Sequence, residues 1–390
     1  MRVLLVHNDY GKPSGEEAVV AGMRRMLERC GYTVSELRMT SAGLRDTLSG
    51  KMRGFVQGIY SPSGRRAMRR KLAEFRPDVV NVHNLYPFIS PAALFECRKA
   101  GVPVVMTVHN FRLMCPTGLF MRDGAPCKAC LEHGNEWRCV RYNCEHSLLK
   151  SLGYAARNTA ARISGAYRKC VTAYACITDF QRQCLKRAGF DADRLRLIPN
   201  SVEIRDCFSP VPDSGYVAYC GRISREKGVD MIVDMARNHP EIPFRLAGEV
   251  RDQEIVDNLP DNVTLAGFLS GTDLENFYRD ARMVVMASRW YEGFPMTILE
   301  AAQYGRPVVA PDHGGFSEII GSGAEAIGVL FRPGDAESLQ QAVLQLWNDP
   351  QKLAALSSKA RNKLITNYST SVTAEQWNKL LNELTHAYGA

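Results

Sequence analysis

Short runs of apolar residues alternate with amphipathic stretches along most of the chain, in two series. In the first series, runs rich in Val, Ile and Leu lie at residues 2–7, 78–82, 103–108 and 174–177, and stretches with helical periodicity lie at 16–30, 90–100, 148–169 and 179–188. In the second series, the apolar runs lie at 216–220, 243–247, 263–266, 283–286 and 307–310, and the helical stretches at 228–238, 272–279, 295–304 and 335–348. Apolar runs separated by helices predict parallel sheets that are covered on both faces.

A segment rich in proline separates the two series. Residues 198–214 contain Pro199, Pro210 and Pro212, and proline extends neither a helix nor a central strand. The pattern therefore predicts two doubly wound α/β domains. Because such sheets bind ligands at the carboxyl ends of their strands, we expect the active site in a cleft where the two domains face each other.

Composition narrows the class of protein. The chain has 390 residues, of which 45% are hydrophobic, so it is long enough for two or three domains with real cores. No stretch approaches the roughly 20 apolar residues of a membrane-spanning helix. The opening residues Met1 to His7 continue into Asn8 and Asp9 without the pattern of a cleaved signal peptide, which favours a buried strand in a cytoplasmic protein.

The net charge of +8 is concentrated in one segment. Residues 45–76 hold nine basic and two acidic residues, together with apolar Met52, Phe55, Val56 and Ile59. This composition favours contact with an anionic membrane surface. The alternative is a solvated loop followed by an ordinary surface helix. A nucleic-acid partner is not expected, because no recognised nucleic-acid module surrounds the segment.

The first motif with specific chemistry follows the strand at 216–220. It places Gly221, Arg222 and Lys227 in a turn that opens a helix. Glycine lets a ligand approach the backbone, the helix start offers unpaired N–H groups, and the two cations supply charge. The motif predicts a diphosphate site; alternatively, the two cations are surface charges at an ordinary helix start.

A second motif, residues 292–300, follows the strand at 283–287 in the same way. Pro295 is expected at the first helical position, so the amides there form a second phosphate site. The residues that we assign to this site are Gly293, Phe294, Pro295 and Met296. The carboxylates of Glu292 and Glu300 flank it, and carboxylates beside a phosphate suit a nucleotide sugar, one accepting from hexose hydroxyls and the other from the ribose.

The paired motifs, 221–228 and 292–300, resemble the donor site of the family 4 retaining glycosyltransferases, which have the GT-B fold. The resemblance implies that Arg222 and Lys227 hold the diphosphate and stabilise the departing nucleotide, that Glu292 contacts the transferred sugar, and that Glu300 contacts the ribose. Two further matches are Ser14, Gly15 and Glu16, which resemble the loop under the donor phosphates, and the pair Gly314 and Gly315.

The resemblance also implies the domain plan of two Rossmann-like domains facing across a cleft. We place the acceptor-binding domain at residues 1–205, with a Cys-rich insertion at 112–146. The domain that binds the nucleotide sugar is expected at 206–366, the hinge at 195–202, and a helix returning to the first domain at 367–390.

Two histidines end strands of the first series. His109 follows the strand at 104–108, a position that directs an imidazole toward a ligand, and the family's corresponding histidine lies against the donor sugar. His83 is a weaker candidate at the end of the preceding strand. For each, a purely structural role is the alternative.

The family's chemistry implies retention of anomeric configuration, with the leaving phosphate taking the acceptor's proton. It requires neither a protein base nor a divalent ion, only charge stabilisation and positioning. The single Asp-x-Asp sequence, Asp191 and Asp193, is simpler to interpret as a turn than as a metal site.

Five of the twelve cysteines lie close together in the insertion. In a cytoplasmic protein, the Cys-x2-Cys spacing favours a thiolate metal site over disulfides. We predict a structural zinc ion bound by Cys127, Cys130, Cys139 and Cys144, with Cys115 as an alternate ligand. The other reading is that these thiols are reduced or paired without a metal.

The sequence thus predicts a hexosyltransferase that moves a sugar from a UDP- or GDP-linked donor to a saccharide or a lipid-linked saccharide. We expect it in bacterial surface polysaccharide synthesis, in the cytoplasm or on the inner face of the plasma membrane. A nucleotide-sugar 2-epimerase has the same architecture but acts without an acceptor. A non-catalytic partner that binds sugar nucleotides is the third reading, and the complete set of donor residues argues against it.

Overall fold

A computed structural model of the chain describes residues 1–9, 15–40 and 48–388. The chain divides into two compact units. The first contains Met1–Leu119, Lys128–Asn200 and Ser371–Ala390, and the second contains Phe120–Cys127 and Ser201–Thr370. The division after Asn200 falls inside the proline-rich segment 198–214.

The first unit is built on a six-stranded parallel sheet. Its strands are β1 (Arg2–Asp9), β2 (Thr33–Thr40), β3 (Val79–Asn84), β4 (Val104–Val108), β7 (Ala173–Cys176) and β8 (Leu195–Leu197). They lie in the order β2-β1-β3-β4-β7-β8. The two edge strands, β2 and β8, were not predicted, because their sequences lack the continuous apolar run of a strand buried on both faces.

The helices of the first unit connect these strands. They are α1 (Gly15–Arg29), α2 (Leu48–Ile59), α3 (Pro62–Phe75), α4 (Leu94–Lys99), α5 (Ala129–Glu132), α6 (Arg138–Arg141), α7 (Leu148–Ser164), α8 (Ala166–Cys170) and α9 (Asp179–Arg187). The predicted helix at 148–169 is divided at Gly165, which takes the left-handed conformation with φ of 69°. The described part of the basic segment, residues 48–76, carries two helices, α2 and α3, whereas the alternative interpretation of this segment had a loop and one helix.

The second unit repeats the plan. Its parallel sheet has the order β11-β10-β9-β12-β13-β14, formed by β9 (Tyr216–Cys220), β10 (Phe244–Ala247), β11 (Val263–Gly267), β12 (Ala281–Val285), β13 (Val308–Pro311) and β14 (Gly328–Phe331). Its helices are α10 (Val229–Asn238), α11 (Gly271–Arg279), α12 (Met296–Gln303), α13 (Gly314–Ile320), α14 (Ala336–Trp347) and α15 (Pro350–Tyr368). A short hairpin of β5 (Met121–Arg122) and β6 (Ala125–Pro126) also belongs to this unit.

The last helix, α16 (Thr370–Tyr388), belongs to the first unit almost entirely. Trp377, Leu380, Leu381 and Leu384 recur at helical spacing and are buried with Val3 and other residues of that unit's core. The helix begins at Thr370, three residues after the expected start, because α15 continues to Tyr368.

In both units the core consists of the strand residues whose runs predicted the sheets. Val3 and Val105 are fully buried in the first unit, and Val217 and Val285 in the second. Burial of such side chains contributes about 1.5–3 kcal/mol each to the free energy of unfolding. Among the described residues, no helix is long and apolar enough to cross a membrane.

Candidate active site

The diphosphate motif lies where β9 ends, as predicted. Gly221 donates its amide to the carbonyl of Ala247 at 2.9 Å, and the Tyr219 hydroxyl donates to the carbonyl of Arg222 at 2.6 Å. A Cβ atom on Gly248 would lie 1.8 Å from the Gly221 oxygen, so the turns after β9 and β10 touch through their backbones. This contact fixes the loop that carries Arg222 and Lys227.

Lys227 and Glu292, which the sequence assigned to separate motifs, form an ion pair within the second unit. The Lys227 ammonium donates to Oε1 of Glu292, and the two side chains are about 16% and 15% exposed. The same oxygen accepts from Nε1 of Trp290 at 2.7 Å and from the Ser288 hydroxyl at 3.0 Å. Oε1 of Glu292 thus accepts three hydrogen bonds, and these hold its carboxylate in place between the two motifs.

The protonation state of Glu292 follows from these contacts. Burial raises the pKa of its carboxyl group, but the positive charge of Lys227 and the hydrogen bonds from Lys227, Trp290 and Ser288 outweigh burial, so the pKa is lowered overall. Glu292 is therefore ionised at neutral pH. A buried carboxylate in this state is held in place by the partners that satisfy it.

Trp290 was missed by the sequence analysis, although it contacts both predicted cations. The Lys227 ammonium lies 4.8 Å from its ring centre, and the Arg222 guanidinium lies 5.3 Å from it. Cations over an indole face are attracted by about 0.5–2 kcal/mol. The signal was present in the sequence, since Trp290 stands two residues before Glu292.

Arg222 keeps more freedom than Lys227. Its side chain is 43% exposed, and its carboxylate contact is Glu226, at 3.6 Å on the next turn. An exposed pair at this distance is worth at most about 1 kcal/mol. Arg222 is thus free to turn toward a ligand at little cost.

Glu300 lies one turn inside α12 and is held by a different partner. The Tyr278 hydroxyl donates to its Oε2 at 2.8 Å. Burial raises the pKa of Glu300, and the hydrogen bond from Tyr278 opposes that shift only in part. Tyr278 is a second residue that the sequence analysis missed, because it lies on α11, away from both motifs.

The helix start where we predict a second phosphate site differs slightly from the expectation. Pro295 is the residue before the first turn of α12 and not its first helical residue. No side chain caps this helix, so the first amides remain available to an anion beside Gly293, Phe294 and Met296. Gly315 donates its amide to the carbonyl of Glu292 at 3.0 Å, which ties the start of α13, at Gly314, to this loop.

In the first unit, His83 and His109 lie next to each other at the carboxyl ends of β3 and β4. Nδ1 of His83 and Nε2 of His109 are 2.8 Å apart, the ring centres are 5.1 Å apart, and the ring planes differ by 19°. His7, on β1, meets the His83 ring edge-on at 6.5 Å. The sequence placed both candidate histidines at strand ends but did not show that they bond to each other.

All three histidines are neutral. Burial lowers the pKa of His7 to about 4 and that of His109 to about 3, and it lowers the pKa of His83 well below its ordinary value. Positive charge on one ring further disfavours positive charge on its neighbour. At neutral pH these rings therefore act as hydrogen-bonding groups and not as cations.

The predicted glycine-rich loop is described only in part. Ser14 lies outside the described residues. Gly15 and Glu16 open α1, and Oε1 of Glu16 lies 3.7 Å from Nδ1 of His7. Asp191 caps the turn at Ala192–Arg194, where it accepts from the Asp193 amide at 3.1 Å, so this Asp-x-Asp sequence forms a turn.

The predicted zinc ligands are divided between the two units. Cys127 belongs to the second unit, whereas Cys115, Cys130, Cys139 and Cys144 belong to the first. A hydrogen bond with Cys144, together with burial, raises the pKa of the Cys139 thiol. In the described part of the chain, three or more potential ligand atoms lie within 4.8 Å of one another only at His7, Asp9 and Glu17. Zinc at these thiols stays a prediction.

Models of two protein families match the two halves of the chain. The model described as Glycosyltransferase Family 4 matches residues 13–206, and the model described as Glycosyl transferases group 1 matches residues 203–363. The first range includes both candidate histidines, and the second includes both donor motifs.

Curated relatives are identical to the chain at about a quarter of the aligned positions. The lipopolysaccharide core biosynthesis mannosyltransferase LpsB of Rhizobium meliloti is 28% identical over 196 residues, which cover 46% of this chain and 55% of that protein. The alpha-D-kanosaminyltransferase of Streptomyces kanamyceticus is 27% identical over 303 residues, which cover 75% of this chain and 72% of that protein. The first match thus spans about half the length of the relative, and the second about three quarters.

Solved structures share the fold over nearly the whole chain. Sucrose-phosphate synthase from Thermosynechococcus elongatus has a TM-score of 0.74 at 19% identity, with 99% of each chain covered. HepE of Anabaena, in complex with UDP-glucose, has a TM-score of 0.67 at 17% identity, with 98% of this chain and 100% of that chain covered. This likeness and the two family models agree with the resemblance carried by the paired motifs, and the chain belongs to the family 4 glycosyltransferases of the GT-B fold.

Proposed function

We propose that the chain is a retaining, metal-independent hexosyltransferase that uses a nucleotide diphosphate sugar. The observation that carries the proposal is the Lys227–Glu292 pair on Trp290, with Arg222 beside it and the uncapped start of α12 following it. A guanidinium, an ammonium and free helix amides stabilise the negative charge that a departing nucleoside diphosphate develops. Glu292 then accepts from hydroxyls of the transferred sugar, and Glu300 from the ribose.

UDP is the first nucleotide to test, since HepE has been solved with UDP and with UDP-glucose. The acceptor is a saccharide or a lipid-linked saccharide of a surface polysaccharide. This acceptor class is supported by the names of two relatives, the lipopolysaccharide core biosynthesis mannosyltransferase LpsB and a poly(ribitol-phosphate) alpha-N-acetylglucosaminyltransferase of Staphylococcus aureus. The second unit binds the nucleotide, the first unit binds the acceptor, and His109 of the first unit contacts the sugar of the donor.

We also propose that the segment 45–76 contacts an anionic membrane on the cytoplasmic side. Val56 and Tyr60 on and beside α2 are 58% and 47% exposed. Arg65 and Arg69 both bond to Glu96, whereas Arg70 is highly exposed. Exposed apolar and basic side chains together favour an anionic lipid surface.

The decisive experiment incubates the purified protein with UDP-glucose, other UDP-sugars and GDP-mannose, each with and without saccharide acceptors. Without an acceptor we expect slow hydrolysis of the donor. With an acceptor we expect a product whose anomeric configuration is the same as that of the donor. Lys227→Met should lower turnover at least about tenfold, since a charge-assisted bond to the leaving group is worth about 1.5–3 kcal/mol.

Arg225→Met is the matched control, because Arg225 lies in the same turn and pairs with Glu254 on the surface at 2.9 Å. Its turnover should equal that of the wild type. Equal activity of Lys227→Met and Arg225→Met would contradict the proposal. Conversion of the donor to its C2 epimer without acceptor would instead identify the 2-epimerase.

A further inference from the structure

Three neighbouring strands of the first sheet each present a histidine near the carboxyl end. His7, His83 and His109 lie on or directly after β1, β3 and β4, which are adjacent in the sheet order. His83 is about 3% exposed, whereas His109 is half-buried. The hydrogen bond of 2.8 Å between Nδ1 of His83 and Nε2 of His109 joins the buried ring to the accessible one.

The surroundings of His83 decide which ring donates in this bond. Nε2 of His83 is buried and makes no hydrogen bond to any described residue. Orphaned buried N–H donors are rarer in proteins than orphaned acceptors, so we assign the single proton of neutral His83 to Nδ1. Nδ1–H then donates to Nε2 of His109, which must be unprotonated to accept.

The proton of neutral His109 is thereby fixed on Nδ1. This atom makes no hydrogen bond to a described residue and is not among the fully buried polar atoms. It is therefore the ring nitrogen left for a ligand. When one ring nitrogen of a neutral histidine accepts a hydrogen bond, the other nitrogen carries the proton. Nδ1 of His109 is then a hydrogen-bond donor before any ligand arrives.

We propose that His83 is a positioning residue that holds His109 in the Nδ1–H tautomer and aims this donor at a hydroxyl oxygen of the sugar substrate. The proposal rests on the proposed function, because it assumes that His109 touches substrate. Its physical benefit is preorganisation: neither the proton nor the ring has to move when the sugar binds.

The tautomer of His109 can be measured without any substrate. In protein labelled with ¹⁵N-histidine, long-range ¹H–¹⁵N spectra at pH 7.5 distinguish Nδ1–H from Nε2–H, and the His109 signals are assigned by their loss in His109→Gln. We expect Nδ1–H in the wild type. In His83→Phe, where no donor faces Nε2, we expect the Nε2–H form or a mixture.

His83→Asn should restore the wild-type spectrum, because an asparagine amide places an N–H donor near the position of Nδ1. Thr107→Val is the matched control. It removes another bond between β3 and β4, from the Thr107 hydroxyl to Oδ1 of Asn81 at 2.9 Å, without touching the histidines. Its stability should fall while the His109 tautomer stays the same.

Activity supplies the second readout. We expect kcat for sugar transfer to fall about tenfold or more in His83→Phe and to recover in part in His83→Asn. The dissociation constant for UDP should stay within about twofold of the wild-type value, because the nucleotide binds to residues of the second unit. A general loss of folding would lower both kcat and the affinity for UDP, so a lower kcat with an unchanged UDP affinity indicates a positioning role.

An Nε2–H signal for His109 in the wild type would overturn the assignment, and the wild-type spectrum alone is enough for this test. An unchanged tautomer in His83→Phe, or a changed tautomer with unchanged kcat, would overturn the positioning role. Absence of any transfer in the wild type would instead refute the proposed function and leave the tautomer result standing.

Discussion

Lys227 and Glu292 neutralise each other in the described structure, and this has a consequence for donor binding. A diphosphate that binds Lys227 competes with the Glu292 carboxylate, which is already bonded to Lys227. The pair therefore serves two roles: it keeps both charges satisfied in the protein alone, and it places them together where a donor is proposed to bind.

Replacing Glu292 by glutamine should separate nucleotide binding from turnover. Glu292→Gln keeps the shape of the side chain but releases Lys227 from an anionic partner. We expect UDP to bind as tightly as in the wild type or several-fold more tightly, and turnover to fall at least about tenfold. Calorimetry with UDP and a turnover assay measure the two effects. Glu254→Gln, in the surface pair with Arg225, is the control; weaker UDP binding in Glu292→Gln alone would argue against competition.

Trp290 contributes a hydrogen bond in addition to its ring. Trp290→Phe keeps an aromatic face for Lys227 and Arg222 but removes the Nε1–H donor to Glu292. Loss of a bond to the ionised form should raise the pKa of Glu292. We expect the acid limb of the pH profile of kcat/KM to move to higher pH in the variant. An acid limb at the wild-type position would show that Trp290 acts through its ring alone.

At the scale of elements, the junction between β9 and α10 depends on a glycine. Gly228 has φ of +68°, and a Cβ atom there would lie 2.0 Å from the carbonyl oxygen of Ala287. The loop that carries Lys227 is thus held against the end of β12 by a backbone contact.

We expect Gly228→Ala to destabilise the second unit and weaken UDP binding, because the alanine meets both an unfavourable φ and a backbone clash. Gly334→Ala is the matched control. Gly334 has φ of +74° with no atom within 4 Å, so this variant should lose only the roughly 1–2 kcal/mol of the conformation itself. Thermal unfolding and UDP titration of both variants measure the difference. Equal losses of stability in the two variants would mean that the loop moves to relieve the clash with the carbonyl oxygen of Ala287.

The helix α16 completes the core of a unit whose other residues lie far earlier in the sequence. Leu381 is about 1% exposed in that core. Leu381→Ala should lower the free energy of unfolding by about 2–5 kcal/mol, as for other buried leucines, and leave the UDP affinity unchanged. Asn382→Ala, on the exposed side of the same turn, should have little effect on denaturant unfolding. Similar losses for the two variants would contradict the packing of this helix.

At the scale of the whole molecule, the three buried histidines make stability depend on pH. Each has a lower pKa in the folded protein than in the unfolded chain, so unfolding takes up protons on acidification. Their stabilising contribution is complete above the unfolded value of 6.5 and decreases as the pH falls toward about 4.

Between pH 7 and pH 5 we expect the free energy of unfolding to fall by up to about 2 kcal/mol for each histidine. Denaturant unfolding at a series of pH values measures this slope. His83→Phe should show a shallower slope than the wild type, because one proton fewer is taken up on unfolding. A slope unaffected by this substitution would show that His83 does not stay neutral in the folded protein.

The sequence by itself determined the two α/β units, the strand ends that carry Arg222, Lys227 and His109, and the acidic residues on either side of the second motif. These are local properties, since a buried strand, a helix start and a glycine turn each leave a pattern within about ten residues. The spacing of the cysteines names the thiols of the predicted zinc site but does not place their sulfur atoms, so this site stays a prediction.

Only the tertiary structure decided which side chains meet. It brought Lys227 to Glu292 across 65 residues of sequence and Tyr278 to Glu300, set His83 against His109, and placed α16 in the core of the first unit. Strand order and helix packing determine which of these side chains meet. Both depend on the apolar surface that is buried over the whole chain. No single segment contains that information.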